Sequence, residues 1–265
     1  MGEVLKLGRY MGQLKEKAVS IFILLALFCV WEIISRFRVN YLMPPLSSII
    51  LRLIEMLISG QLTGHIIASL GRSFPGYLVA AAFAISLGII VGWWGRIYRI
   101  LEPIIELFRP IPSTALIPLA ILWLGIGEEP KVFIIFLACF WPIFVNTLYG
   151  VRGVDDYLIK SARSMNAKEG DIIFKVAIPA ASPYIFGGLR ISLGTSFILL
   201  VASEMIAANK GLGFLILYFE ETFRIKEMYA TILLLSILAY LSIKILLKLE
   251  DHFTRWHKEI TIERR

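Results

Sequence analysis

Residues 155–183, DDYLIKSARSMNAKEGDIIFKVAIPAASP, form the one long polar interval that has apolar, membrane-type sequence on both sides. The two aspartates at its start are typical N-cap residues. Leu158, Ala162 and Met165 follow at i, i+4 and i+7, while Lys160 and Arg163 lie between them. This spacing predicts a short helix with one apolar and one polar face.

Further along the segment, Asn166 tolerates a left-handed backbone and is predicted to end this helix. Gly170 and Asp171 are predicted to open a second helix, which Pro179 and Pro183 should stop. A helix, a tight turn and a helix between two membrane spans would present a docking surface to a soluble partner. The same periodicity also fits an ordinary solvated loop that contains some helix.

The segment resembles the EAA loop of the permease subunits of ABC importers, in which Glu-Ala-Ala, three residues, Gly, nine residues and Ile-x-Leu-Pro follow one another. The spacing matches throughout: Lys160 and Asn166 replace the glutamate and the glycine, and Pro179 is the closing proline. The resemblance implies that an ATPase is contacted by Leu158, Lys160, Ser161, Ala162, Arg163, Ser164, Met165, Asn166, Ala167, Gly170 and Pro179.

The composition is that of an integral membrane protein. Of 265 residues, 58% are hydrophobic and the mean hydropathy is +0.76, whereas soluble domains are about half apolar or less. Cys29 and Cys139 lie in apolar runs, and the histidines lack ligand spacing, so neither disulfides nor a metal site is predicted. The net charge of +7 does not indicate nucleic-acid binding, because in a membrane protein the distribution of basic residues matters more than their sum.

The chain is predicted to be all-α, with a cytoplasmic tail (1–18), a transmembrane domain (19–247) and a second cytoplasmic tail (248–265). The six predicted spans cover about 19–36, 74–94, 100–124, 132–149, 184–205 and 228–247. A helix over 48–59, capped by Ser47, is too short to cross a hydrocarbon core of about 30 Å and should lie along the membrane surface. If it crosses instead, every later loop changes side.

Two of the spans carry distinctive patterns. The second has a stripe of small residues at four-residue intervals, Ala80, Ala84, Gly88 and Gly92, which predicts the close approach of another helix. The third contains four prolines, and this predicts a bend.

Basic residues indicate the orientation. With the N-terminus inside, the predicted cytoplasmic segments hold 16 Lys and Arg and the opposite side holds 7. The excess places both termini and residues 155–183 on the cytoplasmic side of the inner or plasma membrane.

Other segments narrow the resemblance to permeases of the nitrate, sulfonate and taurine type: 69–72 (SLGR), 109–127 (RPIPSTALIPLAILWLGIG), 188–190 (GLR) and 211–213 (GLG). The resemblance implies a type I importer permease fold with a cytoplasmic coupling helix. It also implies two copies around one pathway, two ATPase subunits beneath and an extracytoplasmic binding protein that delivers a small anion or a vitamin precursor. Because the chain has no Walker P-loop, ATP and Mg are expected on the partner ATPase, and this chain is not expected to be an enzyme.

Ionisable residues at membrane depth are costly and are candidates for a translocation pathway. The candidates are Arg109, Arg190 and Glu204, together with Ser192 and Ser196. The arginines also fit snorkelling or pairing with an acid, and the serines also fit helix contact. A secondary transporter would need paired broken helices or an internal repeat, and a membrane enzyme a cluster of His, Asp or Ser at membrane depth; the sequence indicates neither.

Overall fold

A computed structural model describes residues 18–19, 22–23, 25–37 and 42–253. This part of the chain is helical and contains no strand, which confirms the all-α prediction. Helices run over 25–37 (α1), Leu46–Ile58 (α2), Thr63–Trp93 (α3), Gly95–Phe108 (α4), Ile117–Leu124 (α5), Glu129–Arg152 (α6), Asp156–Ser164 (α7), Glu169–Ile172 (α8), Ile178–Ala207 (α9), Leu212–Glu221 (α10) and Ile225–Phe253 (α11). A 3-10 turn at Ser113–Leu116 precedes α5, and a π-helical turn at Ile173–Ala177 joins α8 to α9.

Four helices of the described residues are long and apolar enough to cross a membrane: Thr63–Trp93, Glu129–Arg152, the continuous helix Glu169–Ala207, and Ile225–Phe253. A fifth crossing is possible where Gly95–Phe108 and Ser113–Leu124 meet at 79°. This bend agrees with the proline-rich third span, because Pro110 and Pro112 lie at the break and cannot donate backbone hydrogen bonds. The predicted first span, 19–36, lies partly outside the described residues, so the total of six spans stays a prediction.

The core is formed by α3, α6 and α9, whose backbones approach closely at glycines. A Cβ atom built on Gly88 would lie 2.7 Å from the Cβ atom of Thr147, and one built on Gly92 would lie 3.0 Å from the carbonyl oxygen of Leu148. Ala80 and Ala84 are fully buried. The small-residue stripe therefore faces α6, as its spacing predicts.

The helix that contains the fifth predicted span, 184–205, begins well before that span. Pro179 and Pro183 do not stop a helix, because α8, the π-helical turn and α9 form one continuous helix of 39 residues, Glu169–Ala207. Pro179 lies in the first turn of α9. Pro183 cannot donate to the carbonyl of Pro179, and the Ser182 hydroxyl donates to that carbonyl instead, at 2.8 Å. A side chain thus replaces the missing backbone hydrogen bond.

The second helix also differs from the prediction at its start. Pro45 is the N-cap of α2, and Ser47 does not cap it. The Ser47 backbone N–H and hydroxyl donate to the Glu32 carboxylate, at 3.1 and 2.7 Å. An acid from α1 therefore satisfies the first turn of α2. Whether α2 lies along the membrane surface stays a prediction.

Replacing Gly188 by alanine should destabilise the core, because the new Cβ atom would lie 2.8 Å from the Cβ atom of Asn146 and 2.9 Å from the carbonyl oxygen of Pro142. We expect a loss of about 1–3 kcal/mol, seen as a lower midpoint of thermal unfolding in detergent. Gly194→Ala is the matched control in the same helix, since nothing lies within 4 Å of its Cβ position. Equal midpoints for the two variants would contradict the close packing of α6 on α9.

Candidate functional site

The polar segment forms the short helix that its spacing predicts. The Asp155 carboxylate accepts a hydrogen bond from the Tyr157 N–H at 2.9 Å, as an N-cap does. Asn166 has a φ of 60° and ends the helix in the left-handed conformation. The N–H of Asn166 donates to the carbonyl of Arg163, and that of Ala167 to the carbonyl of Ala162, which closes the last turn.

The apolar face of α7 is largely exposed in the described part of the chain, with Ala162 partly buried. None of the nine residues of α7 is buried. Leu158 is 49% exposed and Met165 is 82% exposed, although both are apolar. An apolar helix face that the chain's own fold leaves open is suited to a contact with another protein or with lipid.

The polar residues of α7 bind one another or face solvent. Lys160 lies 4.0 Å from Asp156 and is largely exposed. The Arg163 guanidinium binds the Glu169 carboxylate at 2.9 Å, which links α7 to the start of α8. The Ser164 hydroxyl donates to the Ser161 carbonyl at 2.8 Å. Gly170 lies exposed in the first turn of α8.

The first turns of the helix that follows α7 are packed into the core. Ile172, Ala177 and Ala181 are fully buried along the continuous helix Glu169–Ala207. Nearby, a Cβ atom on Gly150 would lie 2.7 Å from the Cβ atom of Tyr184, so the end of α6 packs tightly on the same helix. The segment that carries α7 is therefore attached to a long helix that is packed against the core.

The pathway candidates lie in three kinds of environment. Arg109 follows α4, is half exposed and lies 3.8 Å from Glu106. Arg190 binds Glu250 of α11. Ser192 and Ser196 are buried, and their hydroxyls donate within α9 to the carbonyls of Leu189 and Leu193, at 3.0 and 2.7 Å. These contacts explain how the side chains are accommodated, and their roles in a pathway stay predictions.

Glu204 is fully buried at the end of α9, opposite the end that carries α7. Its carboxylate accepts hydrogen bonds from the Ser69 hydroxyl at 2.8 and 3.0 Å, from Arg72 Nη1 at 2.6 Å and from the Gly213 N–H at 2.8 Å. The Ser69 hydroxyl in turn accepts from the Leu212 N–H at 2.8 Å. These contacts join α3, α9 and α10.

Arg72 connects this buried carboxylate to the turn between α5 and α6. It binds the Glu128 carboxylate with two nitrogens and also donates to the Lys210 carbonyl at 2.6 Å. Lys131 binds Glu128 at 3.1 Å. Hydrogen bonding from Arg72 lowers the pKa of Glu128 to about 2. The contribution of this carboxylate to stability is complete above its ordinary pKa of 4.5 and is lost as the pH falls toward 2.

Parts of this cluster, formed by Ser69, Arg72, Glu128, Lys131 and Glu204, stand in the sequence as separate motifs, SLGR, GLG and Glu204, and nothing in the sequence predicts that they meet. Ser69 and Glu204 are 135 residues apart in the chain, and no periodicity relates them. Glu128 and Lys131 carried no signal beyond their charge. Among the described residues, no group of three or more His, Cys, Asp or Glu side chains could hold a metal ion.

Comparison with known proteins shows which proteins this chain resembles. Residues 84–256 match the family described as binding-protein-dependent transport system inner membrane component. A putative ABC transporter permease protein of Methanocaldococcus jannaschii is 36% identical over 250 residues, covering 92% of this chain and 94% of that protein. The taurine transport system permease protein TauC of Escherichia coli is 34% identical over 253 residues, covering 93% of this chain and 92% of that protein.

Among solved structures, a chain of the MetNI methionine ABC transporter in an inward-facing conformation has a similar fold. The TM-score is 0.61 at 21% identity, over 73% of this chain and 94% of that chain. At this identity the likeness concerns the fold alone, and it confirms the predicted importer-permease fold class.

Replacing Glu204 by glutamine should destabilise the chain, because it removes the buried charge that Arg72 Nη1 contacts. Breaking a buried ion pair costs about 3–5 kcal/mol. We expect a loss at the lower end of this range, since Arg72 still binds the Glu128 carboxylate in the variant. The measurement is the midpoint of thermal unfolding in detergent, with Glu221→Gln as the control at an exposed position of α10. An unchanged midpoint for Glu204→Gln would show that the cluster does not hold the helices together.

Proposed function

This chain belongs to the family of binding-protein-dependent transport system inner-membrane components, and we propose that it carries a small solute with an anionic group, an alkanesulfonate or taurine in the first instance, across the membrane. It is the permease component of an ABC importer, so a separate ATPase subunit hydrolyses ATP and a separate protein binds the solute. The proposed solute class is supported by the 34% identity to a taurine transport system permease over 93% of the chain. Nitrate and vitamin precursors are the other solutes that the sequence resemblance implies.

The proposed assembly has two copies of this chain facing each other around one pathway, two ATPase subunits and one extracytoplasmic binding protein. ATP and Mg are bound by the ATPase subunits. Both termini and residues 155–183 face the cytoplasm, as the unequal numbers of Lys and Arg on the two sides, 16 and 7, indicate.

The open apolar face of α7 is the observation that carries the mechanism. Leu158, Ala162 and Met165 enter a groove of the ATPase, and closure of the ATPase dimer moves α7. Movement passes into the membrane because Arg163 and Glu169 bind at 2.9 Å and because the next helix continues for 39 residues to Ala207. A stiff, packed element of this kind transmits a displacement between two discrete arrangements, whereas a flexible tether does not.

Uptake by proteoliposomes tests the proposed function. The vesicles contain this chain with its ATPase, and the binding protein is added outside. We expect uptake of taurine or an alkanesulfonate that requires both ATP and the binding protein. Uptake driven by a proton or sodium gradient with this chain alone would instead identify a secondary transporter. ATP-dependent uptake of a solute without an anionic group, with neither taurine nor an alkanesulfonate carried, would overturn the solute class and leave the importer role intact.

The variants Ala162→Glu and Met165→Asp should insert normally but uncouple ATP hydrolysis from uptake, because each places a charge on the apolar face that enters the ATPase. We expect uptake to fall at least about tenfold, since burying an unpaired charge in a contact is strongly unfavourable. Lys175→Gln is the control, because it also lowers the net charge by one at an exposed position of the same segment. Normal uptake by both variants would refute the role of α7.

A further inference from the structure

A cleft of about 940 Å³ lies where α3 ends, α4 begins and α6 meets α7. Its lining combines tryptophan, aliphatic and arginine side chains, chiefly Trp93, Trp94, Arg96, Ile97, Arg152 and Ile159. The proposed function uses the apolar face of α7 and does not account for this cleft.

Two cations at the cleft are unpaired. Neither Arg96 nor Arg152 has an ion-pair partner among the described residues, and Arg152 is held by Tyr98, whose ring centroid lies 3.8 Å from its guanidinium carbon. The other arginine at the cleft, Arg163, is neutralised by Glu169 at 2.9 Å. Asp156 also lines the cleft, but its carboxylate is largely exposed and lies 4.0 Å from Lys160. The cleft therefore presents an excess of positive charge.

The aromatic residues place the cleft at the membrane boundary. Trp93 and Trp94 end a helix of 31 residues that is apolar enough to span a bilayer. Tryptophan at the end of a span marks the level of the lipid headgroups. Trp94 is 48% exposed, so its ring is available for contact. The first turn of α4, which lines the cleft as well, has no side-chain cap, and an uncapped helix start favours an anion.

The cleft lies on a different side of α7 from the apolar face. Its wall contains Asp156, Ile159 and Arg163, which recur at i, i+3 and i+7. With about 100° between successive residues, the centre of this set is roughly 130° from the centre of Leu158, Ala162 and Met165. A partner that covers the apolar face therefore leaves the cleft to another occupant.

We propose that this cleft binds the headgroup phosphate of an anionic phospholipid, with Arg96 and Arg152 contacting the phosphate and with Trp94 and Ile97 contacting the glycerol and upper acyl carbons. Basic pockets between membrane helices bind lipid headgroups in this way. The bound lipid contacts the side of α7 that lines the cleft and so stabilises the position of this helix. The binding site does not depend on the solute carried, whereas its effect on coupling rests on the proposed function.

The test measures how much lipid the purified assembly of this chain and its ATPase retains, by native mass spectrometry in detergent. Phosphatidylglycerol and phosphatidylcholine with the same acyl chains are added in turn. We expect preferential retention of phosphatidylglycerol by the parent, and about tenfold weaker retention by the double variant Arg96→Gln, Arg152→Gln, because each basic residue near an anionic lipid adds to its attraction. Equal retention of the two lipids by the parent would overturn the proposal.

Arg99→Gln is the matched control. Arg99 lies on the same helix as Arg96 and donates to the carbonyl of Gly95 at 3.4 Å, and it does not line the cleft. The control should retain phosphatidylglycerol like the parent, and Arg152→Lys, which keeps the charge, should retain most of it. A double variant that matches the parent would refute the site.

Two further outcomes distinguish other occupants. If inorganic phosphate displaces phosphatidylglycerol at equal concentration, the cleft binds a free anion and the lipid assignment is wrong. If Arg96→Cys cross-links to the ATPase in the assembled complex, the cleft is a protein interface and the proposal fails. Because lipid retention is measured without transport, a failure here is separate from a failure of the importer role, which the uptake assay decides.

Discussion

Close backbone contact among α3, α6 and α9 is the constraint on which the rest of the structure depends. In lipid, burial of apolar surface does not drive helices together, so van der Waals contact and hydrogen bonding must hold them. Contact at this distance requires glycine, because a Cβ atom on Gly88 would lie 2.7 Å from an atom of α6 and one on Gly188 would lie 2.8 Å from another. The positions of α7 and of the Glu204 carboxylate, at opposite ends of these helices, follow from this contact.

At the end of the core that contains Glu204, ion pairs and hydrogen bonds join the three helices to α10. Glu204 is fully buried, and an isolated carboxylate there would be very costly. Arg72, Ser69 and the Gly213 N–H satisfy it, so Glu204 holds helices together in the fold, and its role in a pathway stays a prediction. Glu128 extends the cluster to the turn before α6. The buried Glu204 and the exposed Glu128 both bind the Arg72 guanidinium, and this fixes the turn between α5 and α6 relative to α3.

At the other end, the same core packs against the helix that follows α7. The helix from Glu169 to Ala207 runs from the surface segment through the core, and the exchange of a Ser182 hydroxyl for the missing Pro183 N–H keeps it continuous. The exposed apolar face of α7 and the cationic cleft on its other side then give this helix two distinct contact surfaces. The ATPase is the proposed partner of the first surface, and an anionic lipid is the proposed partner of the second.

Properties that depend on neighbouring residues were determined by the sequence alone. The membrane class follows from the apolar composition. The N-cap at Asp155, the left-handed Asn166 and the bend near Pro110 follow from local backbone chemistry, and the small-residue stripe follows from the helical repeat. Continuation of the helix through Pro179 and Pro183, the use of Glu32 to satisfy the start of α2, and the meeting of Ser69, Arg72, Glu128 and Glu204 were decided only by the tertiary structure. The physical reason is that each depends on partners far apart along the chain, or on a side chain supplied in place of a backbone donor, and no periodicity in a sequence encodes either.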